Sequence, residues 1–253
     1  MFSWRQPQKR PLVVAHRGSS AVAPENTLAA FQRAVDDHAD AVELDIRLTS
    51  DGEVIVFHDS QLRRTTNGRG KVEQHTFADL RRLTAGAWFD RTFSSETIPT
   101  LDEVLELLPR RIGVNIEIKS DLRSRRSSDI VRRCCSIIRK HRAESSVLVS
   151  SFHHAFILDV RRLLPSVATG LLFHPLKRVG RSAVATTVRA QAEYAIFGGA
   201  TLRKAVLRKA HAHGIKVGEF TVNTPRRFAR SLRYGVDIIF TDDPAALMLL
   251  RKL

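Results

Sequence analysis

The chain has 253 residues, 43% of them hydrophobic, with 41 Lys plus Arg against 26 Asp plus Glu. That apolar content excludes a disordered chain, and the length suits one large α/β domain. The net charge of +15 favours anionic partners such as phosphates or anionic membrane surfaces, with the densest basic stretch at Arg123, Arg125 and Arg126 and on the helix that follows. Nucleic acid is not expected, because no aromatics interleave with the arginines and no nucleic-acid-binding motif is present.

In chain order, the N-terminus shows no signal-like apolar stretch, and no run of 18 apolar residues occurs anywhere. A cytoplasmic protein, with at most peripheral contact with an anionic membrane, is therefore expected. A strand over residues 12–15 leads into a helix opened by Pro24-Glu25-Asn26-Thr27, with Asn26 as the expected N-cap. Strands follow at 41–49 and 53–58, joined by the hairpin-sized turn Ser50-Asp51-Gly52. Residues 59–99 are polar and break the rhythm. They read as an insertion carrying a short helix near 77–83, and not as a separate domain.

Alternation then resumes. Helices are predicted at 101–108, 129–142, 155–164, 182–192, 202–213, 225–234 and 244–250. Strands are predicted at 113–119, 147–152, 167–173, 194–197, 216–222 and 236–240. The adjacent Cys134 and Cys135 fall on an apolar helical stripe, where core packing is expected and a disulfide is not. Seven to eight repeats of strand and helix predict a parallel sheet, and at this length a closed TIM (β/α)8 barrel. The first strand lacks the Gly-rich loop of a dinucleotide fold.

Two strands carry the chemistry. In Val42–Leu48 the apolar Val42, Leu44, Ile46 and Leu48 alternate with Glu43, Asp45 and Arg47. In Val114–Lys119, Asn115, Glu117 and Lys119 alternate with Val114, Ile116 and Ile118. A half-exposed antiparallel sheet would explain the pattern, but in a parallel barrel the helices cover the outer face, so the charged face must point inward. Buried charges need partners there. Three converging carboxylates, Glu43, Asp45 and Glu117, form an oxygen-only site suited to Mg²⁺ or Ca²⁺. Arg17 and Lys119 beside it suit a phosphate group.

His16 and His58 each close a strand, where sites of such barrels sit. Two imidazoles can serve as acid and base around one phosphorus, provided their environments differ. His75, His141, His153, His154, His211 and His213 read as surface positions. His174 stands just past a strand, where it could reach substrate.

The chain resembles the glycerophosphodiester phosphodiesterases. The residues that carry the resemblance are His16-Arg17-Gly18, Pro24-Glu25-Asn26-Thr27, Glu43-Leu44-Asp45, His58-Asp59, Ile116-Glu117-Ile118-Lys119, Ser151-Phe152, Thr221-Val222-Asn223 and Thr241-Asp242-Asp243-Pro244. The insertion resembles the family's own through Arg64-Thr65-Thr66-Asn67-Gly68, Ala85–Phe89 and Ile98–Leu101.

The resemblance implies a TIM barrel that hydrolyses glycerophosphodiesters to glycerol 3-phosphate and an alcohol. Glu43, Asp45 and Glu117 would hold the metal, His16 and His58 would be acid and base, and Arg17 and Lys119 would grip the phosphate. Gly18 would let the backbone turn close to substrate. The glycerol 2-hydroxyl would attack first, giving a cyclic phosphate that water opens. Phe152 and Phe220 would line the substrate. Phe220 stands where the family usually has Trp, which keeps an aromatic wall but removes an indole donor. Two other readings keep the barrel: a phosphodiesterase of the lysophospholipase D or sphingomyelinase D kind at a membrane surface, and a non-catalytic phosphate-binding module. The long insertion speaks against the first and the intact charged set against the second.

Overall fold

The apolar runs of β1 (Leu12–His16) and β2 (Ala41–Leu48) are linked by α1 (Leu28–Asp36), and pair side by side in parallel. The computed structural model describes residues 1–119, 127–174, 180–199 and 202–251. β3 (Val54–Val56) folds back antiparallel on the end of β2. After α2 (Phe77–Arg81) and α3 (Leu101–Leu107), the strands β4 (Gly113–Ile118), β5 (Val147–Ser151), β6 (Ala168–Phe173), β7 (Tyr194–Gly198), β8 (Lys216–Phe220) and β9 (Ile238–Thr241) add in order. Their connecting helices are α4 (Ser127–Lys140), α5 (His154–Leu163), α6 (Gly180–Arg189), α7 (Lys204–His211) and α8 (Pro225–Tyr234). The C-terminal α9 (Pro244–Leu250) follows β9. β9 pairs in parallel with β1 and closes an eight-stranded parallel barrel, the expected TIM barrel, with β3 outside the ring.

The faces divide as the alternation requires. Val42, Leu44 and Ile46 of β2 and Val114, Ile116 and Ile118 of β4 pack outward against Phe31 of α1, Val104 of α3 and Val131 and Cys134 of α4. Cys134 and Cys135 are both buried, free thiols in this layer. Local chemistry sets the helix starts. Thr100 and Glu103 form a capping box for α3, and Thr224-Pro225 begins α8, which stops at the left-handed Gly235. Among the described residues, no helix is long and apolar enough to cross a membrane.

A second core fills the barrel below the site: Leu12, Val14, Leu148, Leu172, Ile196 and Phe240, closed from the strands' N-terminal end by Trp4. Trp4 is fully buried. Its indole N–H donates to the Ser146 carbonyl at 2.8 Å, and its own carbonyl accepts from Tyr194 Oη at 2.5 Å and Lys216 Nζ at 2.7 Å. Nothing in the local pattern of Met1–Arg5 announces this plug, because its partners lie far along the chain.

Three expectations change. Asn26 is not the cap of α1; Thr27 is, and its Oγ1 accepts from the Ala30 N–H. Asn26 adopts a left-handed φ of 59° and turns its amide to Asp45 instead. The break in the alternation begins at β3, earlier than residue 59. His58 therefore does not close a barrel strand but lies past the hairpin arm β3, which folds back on the end of β2. Gly18 is required for another reason. At φ 81°, a Cβ there would stand 2.6 Å from the Ala30 carbonyl carbon, so α1 fills the space assigned to substrate. The basic stretch at Arg123, Arg125 and Arg126 lies outside the described residues.

Candidate active site

The site occupies the strands' C-terminal ends. The pleat of β2 places Glu43 and Asp45 on its inner face, and the register sets Asp45 beside Glu117 of β4. All three are buried, at 3%, 1% and 8% exposure, and each offers an oxygen within 4.8 Å of the others. Each also has protein partners. The Arg17 backbone N–H donates to Glu43 Oε2 at 2.9 Å, and the Asn26 amide donates to Asp45 Oδ2 at 2.9 Å. Lys119 Nζ stands 3.3 Å from Asp45 Oδ1 and 2.6 Å from Glu117 Oε1. Arg17 holds a left-handed φ of 58°, which aims its N–H at Glu43, while its Nε reaches Asp45 Oδ2 at 3.4 Å.

Three carboxylates against Arg17 and Lys119 leave the cluster one unit negative. Burial, then the charges of Asp45 and Glu117, push the Glu43 carboxyl well up. Burial likewise raises Glu117 to about 7, against the opposing pull of Lys119. Asp45 alone is held down, because Lys119 and Arg17 outweigh its burial. Asn115 Oδ1, buried on the same inner face of β4, has no hydrogen-bond partner among the described residues. Hard oxygen donors that repel one another beside an orphaned carbonyl oxygen fit a divalent cation of the Mg²⁺ or Ca²⁺ type.

Each imidazole has its own carboxylate. His16 Nδ1 lies 2.6 Å from Asp242 Oδ1, just past β9, and Asp242 Oδ2 accepts from Asn223 Nδ2 at 2.5 Å. His58 Nδ1 lies 2.6 Å from Asp59 Oδ1. Arg47 donates from Nε and Nη2 to the His58 carbonyl, at 2.9 and 2.7 Å, and so ties the hairpin arm to β2. Burial lowers the His58 pKa; Asp45 opposes this, while Lys119 and Arg17 add to it. The balance favours the neutral ring.

His16, Arg17, Glu43, His58, Glu117 and Lys119 line a cavity of about 310 Å³. Phe152, Leu172, Ile196, Phe220 and Phe240 supply its apolar lining. Phe152 and Phe220 meet edge to face at 6.2 Å. Of the residues singled out from the sequence for this site, all but Asp45 and Gly18 line the cavity, and Asp45 is held against two that do, Lys119 and Arg17. His174 also reaches it, 6.2 Å from Phe152. The remaining histidines stay outside. His141 and His211 pair with Asp102 and Asp237, His75 and His213 meet backbone carbonyls, and His153 and His154 pack on Phe156 and Phe173.

The sequence assigned no part in the site to Asp242, Asp59, Asn26, Glu25, Arg47 or Arg64. All but Arg47 lie inside motifs that carried the resemblance. The spacing of Arg47 from Asp45 on β2 marked it as inward-facing, yet nothing local could show which carbonyl it would meet.

The sequence profile of the glycerophosphoryl diester phosphodiesterase family matches residues 16–246. A glycerophosphodiester phosphodiesterase of Caldanaerobacter subterraneus subsp. tengcongensis is 37% identical over 245 residues, covering 96% of this chain and 99% of that protein. One from Bacillus altitudinis is 36% identical over 242 residues, covering 95% and 98%. Among solved structures, an Oleispira antarctica phosphodiesterase in complex with the product sn-glycerol-3-phosphate superposes with a TM-score of 0.90 at 28% identity, covering 96% of this chain and 98% of that one. With a profile match running from the first barrel histidine into the last helix, and relatives aligned almost end to end, the chain belongs to the glycerophosphoryl diester phosphodiesterase family.

Proposed function

We propose that this enzyme hydrolyses glycerophosphodiesters to sn-glycerol 3-phosphate and an alcohol, acting as one domain with His16 and His58 as its proton-transfer pair. The observation that carries this reading is the convergence, in one cavity, of two carboxylate-backed imidazoles, two fixed cations and three buried carboxylates opposite an apolar wall. Glu43, Asp45 and Glu117 would hold a divalent cation, which would offset phosphoryl charge as a Lewis acid.

Arg17 and Lys119 grip the phosphate oxygens, and the glycerol carbons lie on Phe152 and Phe220. His58, kept neutral by burial and by Lys119 and Arg17, takes the proton of the glycerol 2-hydroxyl as that oxygen bonds to phosphorus. The bond from phosphorus to the departing alcohol breaks, and His16, backed by Asp242, protonates the leaving oxygen. The roles then reverse. His16 accepts a proton from water attacking the cyclic phosphate, and His58 returns its proton to the 2-oxygen. Diester plus water gives glycerol 3-phosphate plus alcohol, with both imidazoles restored.

The partner is thus a small molecule and not nucleic acid. A cytoplasmic site of action, with peripheral approach to anionic membranes, belongs to the same reading. The test is release of glycerol 3-phosphate from glycerophosphocholine, with lysophosphatidylcholine compared in parallel. His16→Ala and His58→Ala should each abolish turnover in a folded barrel. Full activity in either would remove the acid–base assignment, and faster turnover of lysophosphatidylcholine would move the substrate class to lysophospholipids.

A further inference from the structure

The insertion motif Arg64-Thr65-Thr66-Asn67-Gly68 has no part in the steps above. Its geometry nevertheless reaches into both halves of the site. Arg64 Nε donates to Asp59 Oδ2 at 2.6 Å. Its Nη1 and Nη2 donate to Glu25 Oε2 and Oε1 at 2.7 and 2.8 Å. Glu25 Oε1 in turn accepts from Arg17 Nη1 at 2.8 Å, and Asp59 Oδ1 lies 2.6 Å from His58 Nδ1. One guanidinium therefore bridges the carboxylate that backs His58 and the carboxylate that holds Arg17. Each carboxylate uses one oxygen on the site residue; on Glu25 the same oxygen is shared with Arg64.

The surrounding loop is built to fix this residue. Leu62, Thr65 and Thr66 are buried, and Leu62 packs with Val72, Leu80 and Ile98 in the insertion's own core. Thr66 Oγ1 donates to the Leu62 carbonyl at 2.7 Å, and the Asn67 side chain accepts from the Thr84 N–H at 3.1 Å. Arg64 leaves this anchored turn with its side chain 43% exposed, so the charge is held by its two partners and not by burial. A planar fork with donors on three nitrogens can serve two carboxylates at once, which a single ammonium cannot do with the same geometry.

We propose that Arg64 is a positioning residue for the reaction: from the insertion it locks the orientation of His58 through Asp59 and of Arg17 through Glu25. Without it, Asp59 can rotate away from His58 Nδ1, and Glu25 turns its whole charge on Arg17 and draws it from the phosphate position. This rests on the proton-transfer reading of His58 given above. It makes the insertion part of the active site's support.

The test measures glycerol 3-phosphate release by Arg64→Ala, Arg64→Gln, Arg64→Lys, Asp59→Asn and the Arg64→Ala/Asp59→Asn pair. Arg63→Ala, on the same turn and exposed, is the control, and His58→Ala runs in parallel. Misplacing reacting groups without removing them predicts a kcat loss of about 10–100-fold for Arg64→Ala and Arg64→Gln. KM should rise by no more than about threefold and Tm fall by no more than about 4 °C, since the pair is partly exposed. Lys should not restore kcat. The double variant should lose less than the product of the two single losses, because both substitutions break the Asp59 link and only Arg64→Ala also breaks the one to Glu25.

Wild-type kcat in Arg64→Ala or Arg64→Gln, full rescue by Lys, or multiplicative losses in the double variant would overturn the proposal. An inactive His58→Ala beside a fully active Arg64→Ala would overturn this inference alone. An active His58→Ala would overturn the reading beneath it.

Discussion

Asp242→Asn isolates the role of His16 with one atom changed. Asp242 accepts on both oxygens: His16 Nδ1 at 2.6 Å and Ser20 Oγ at 3.3 Å on Oδ1, and Asn223 Nδ2 at 2.5 Å on Oδ2. An asparagine has one acceptor oxygen and one NH2. Asn223 cannot flip to suit it, because its own Oδ1 accepts from the Asp242 backbone N–H at 3.0 Å and from Thr241 Oγ1 at 3.2 Å. The new amide therefore points its oxygen at Asn223 and its NH2 at His16 Nδ1. That donor forces the proton of His16 onto Nε2 and opposes the imidazolium. The ring can then neither accept a proton at Nε2 nor hold two. Loss of the charge-assisted bond and the wrong tautomer together cost about 2.7–5.4 kcal/mol of transition-state stabilisation, or about 10²–10⁴ in kcat. KM should change little, since Asp242 does not line the cavity. A coupled assay of glycerol 3-phosphate release, with Tm measured alongside, checks this. A folded Asp242→Asn within about threefold of wild-type kcat, a loss far below the range the tautomer argument predicts, would refute it.

Other outcomes follow from the same geometry. Removing Trp4, buried in the floor of the barrel, deletes a large side chain and takes from the Ser146 carbonyl one of its two donors, the other being the Val114 N–H. Trp4→Ala should cost about 3–5 kcal/mol and lower Tm by about 6–20 °C while sparing kcat in the folded fraction; a Tm within about 2 °C of wild type would contradict the plug. Burial alone would raise the Asp59 carboxyl, but hydrogen bonds from Arg64 and His58 outweigh it and hold it at about 2, against an ordinary 3.8. The folded form thus holds this carboxylate ionised more firmly, and the resulting stability is complete above about pH 4 and fades as pH falls towards 2. Asp59→Asn should show a shallower loss of Tm across that window, and an identical loss would remove the linkage. Chelation with EDTA should stop turnover, and adding Mg²⁺, Ca²⁺ or Mn²⁺ to stripped protein should restore it and raise Tm by relieving carboxylate repulsion. Undiminished activity in stripped protein would eliminate the metal.

The barrel was legible because its cause is local and repeats. Strand-length apolar runs alternate with helical ones, and once that alternation calls for a parallel barrel, the polar faces of 42–48 and 114–119 must point inward. Thr224-Pro225 and Gly235 mark a helix by capping chemistry that needs no distant partner. Asn26 misled for the opposite reason. As an N-cap it satisfies local rules, yet Asp45, buried nearby in space, competes for its amide and wins, and Thr27 takes the cap.

The sequence by itself determined which groups the proposed chemistry draws on: His16, Arg17, Glu43, Asp45, His58, Glu117 and Lys119, all singled out by strand periodicity and motif order. Only the tertiary structure decided how they are held. Asp242 reaches His16 because β9 closes the ring beside β1. His58 arrives just past a hairpin arm folded back on the end of β2. Arg64 joins Glu25 to Asp59 from an insertion whose polar sequence had marked it only as a break in the pattern. Such pairings join residues up to 226 positions apart. Residue spacing along a strand or helix says which face a side chain is on, but which partner it meets depends on how the ring closes.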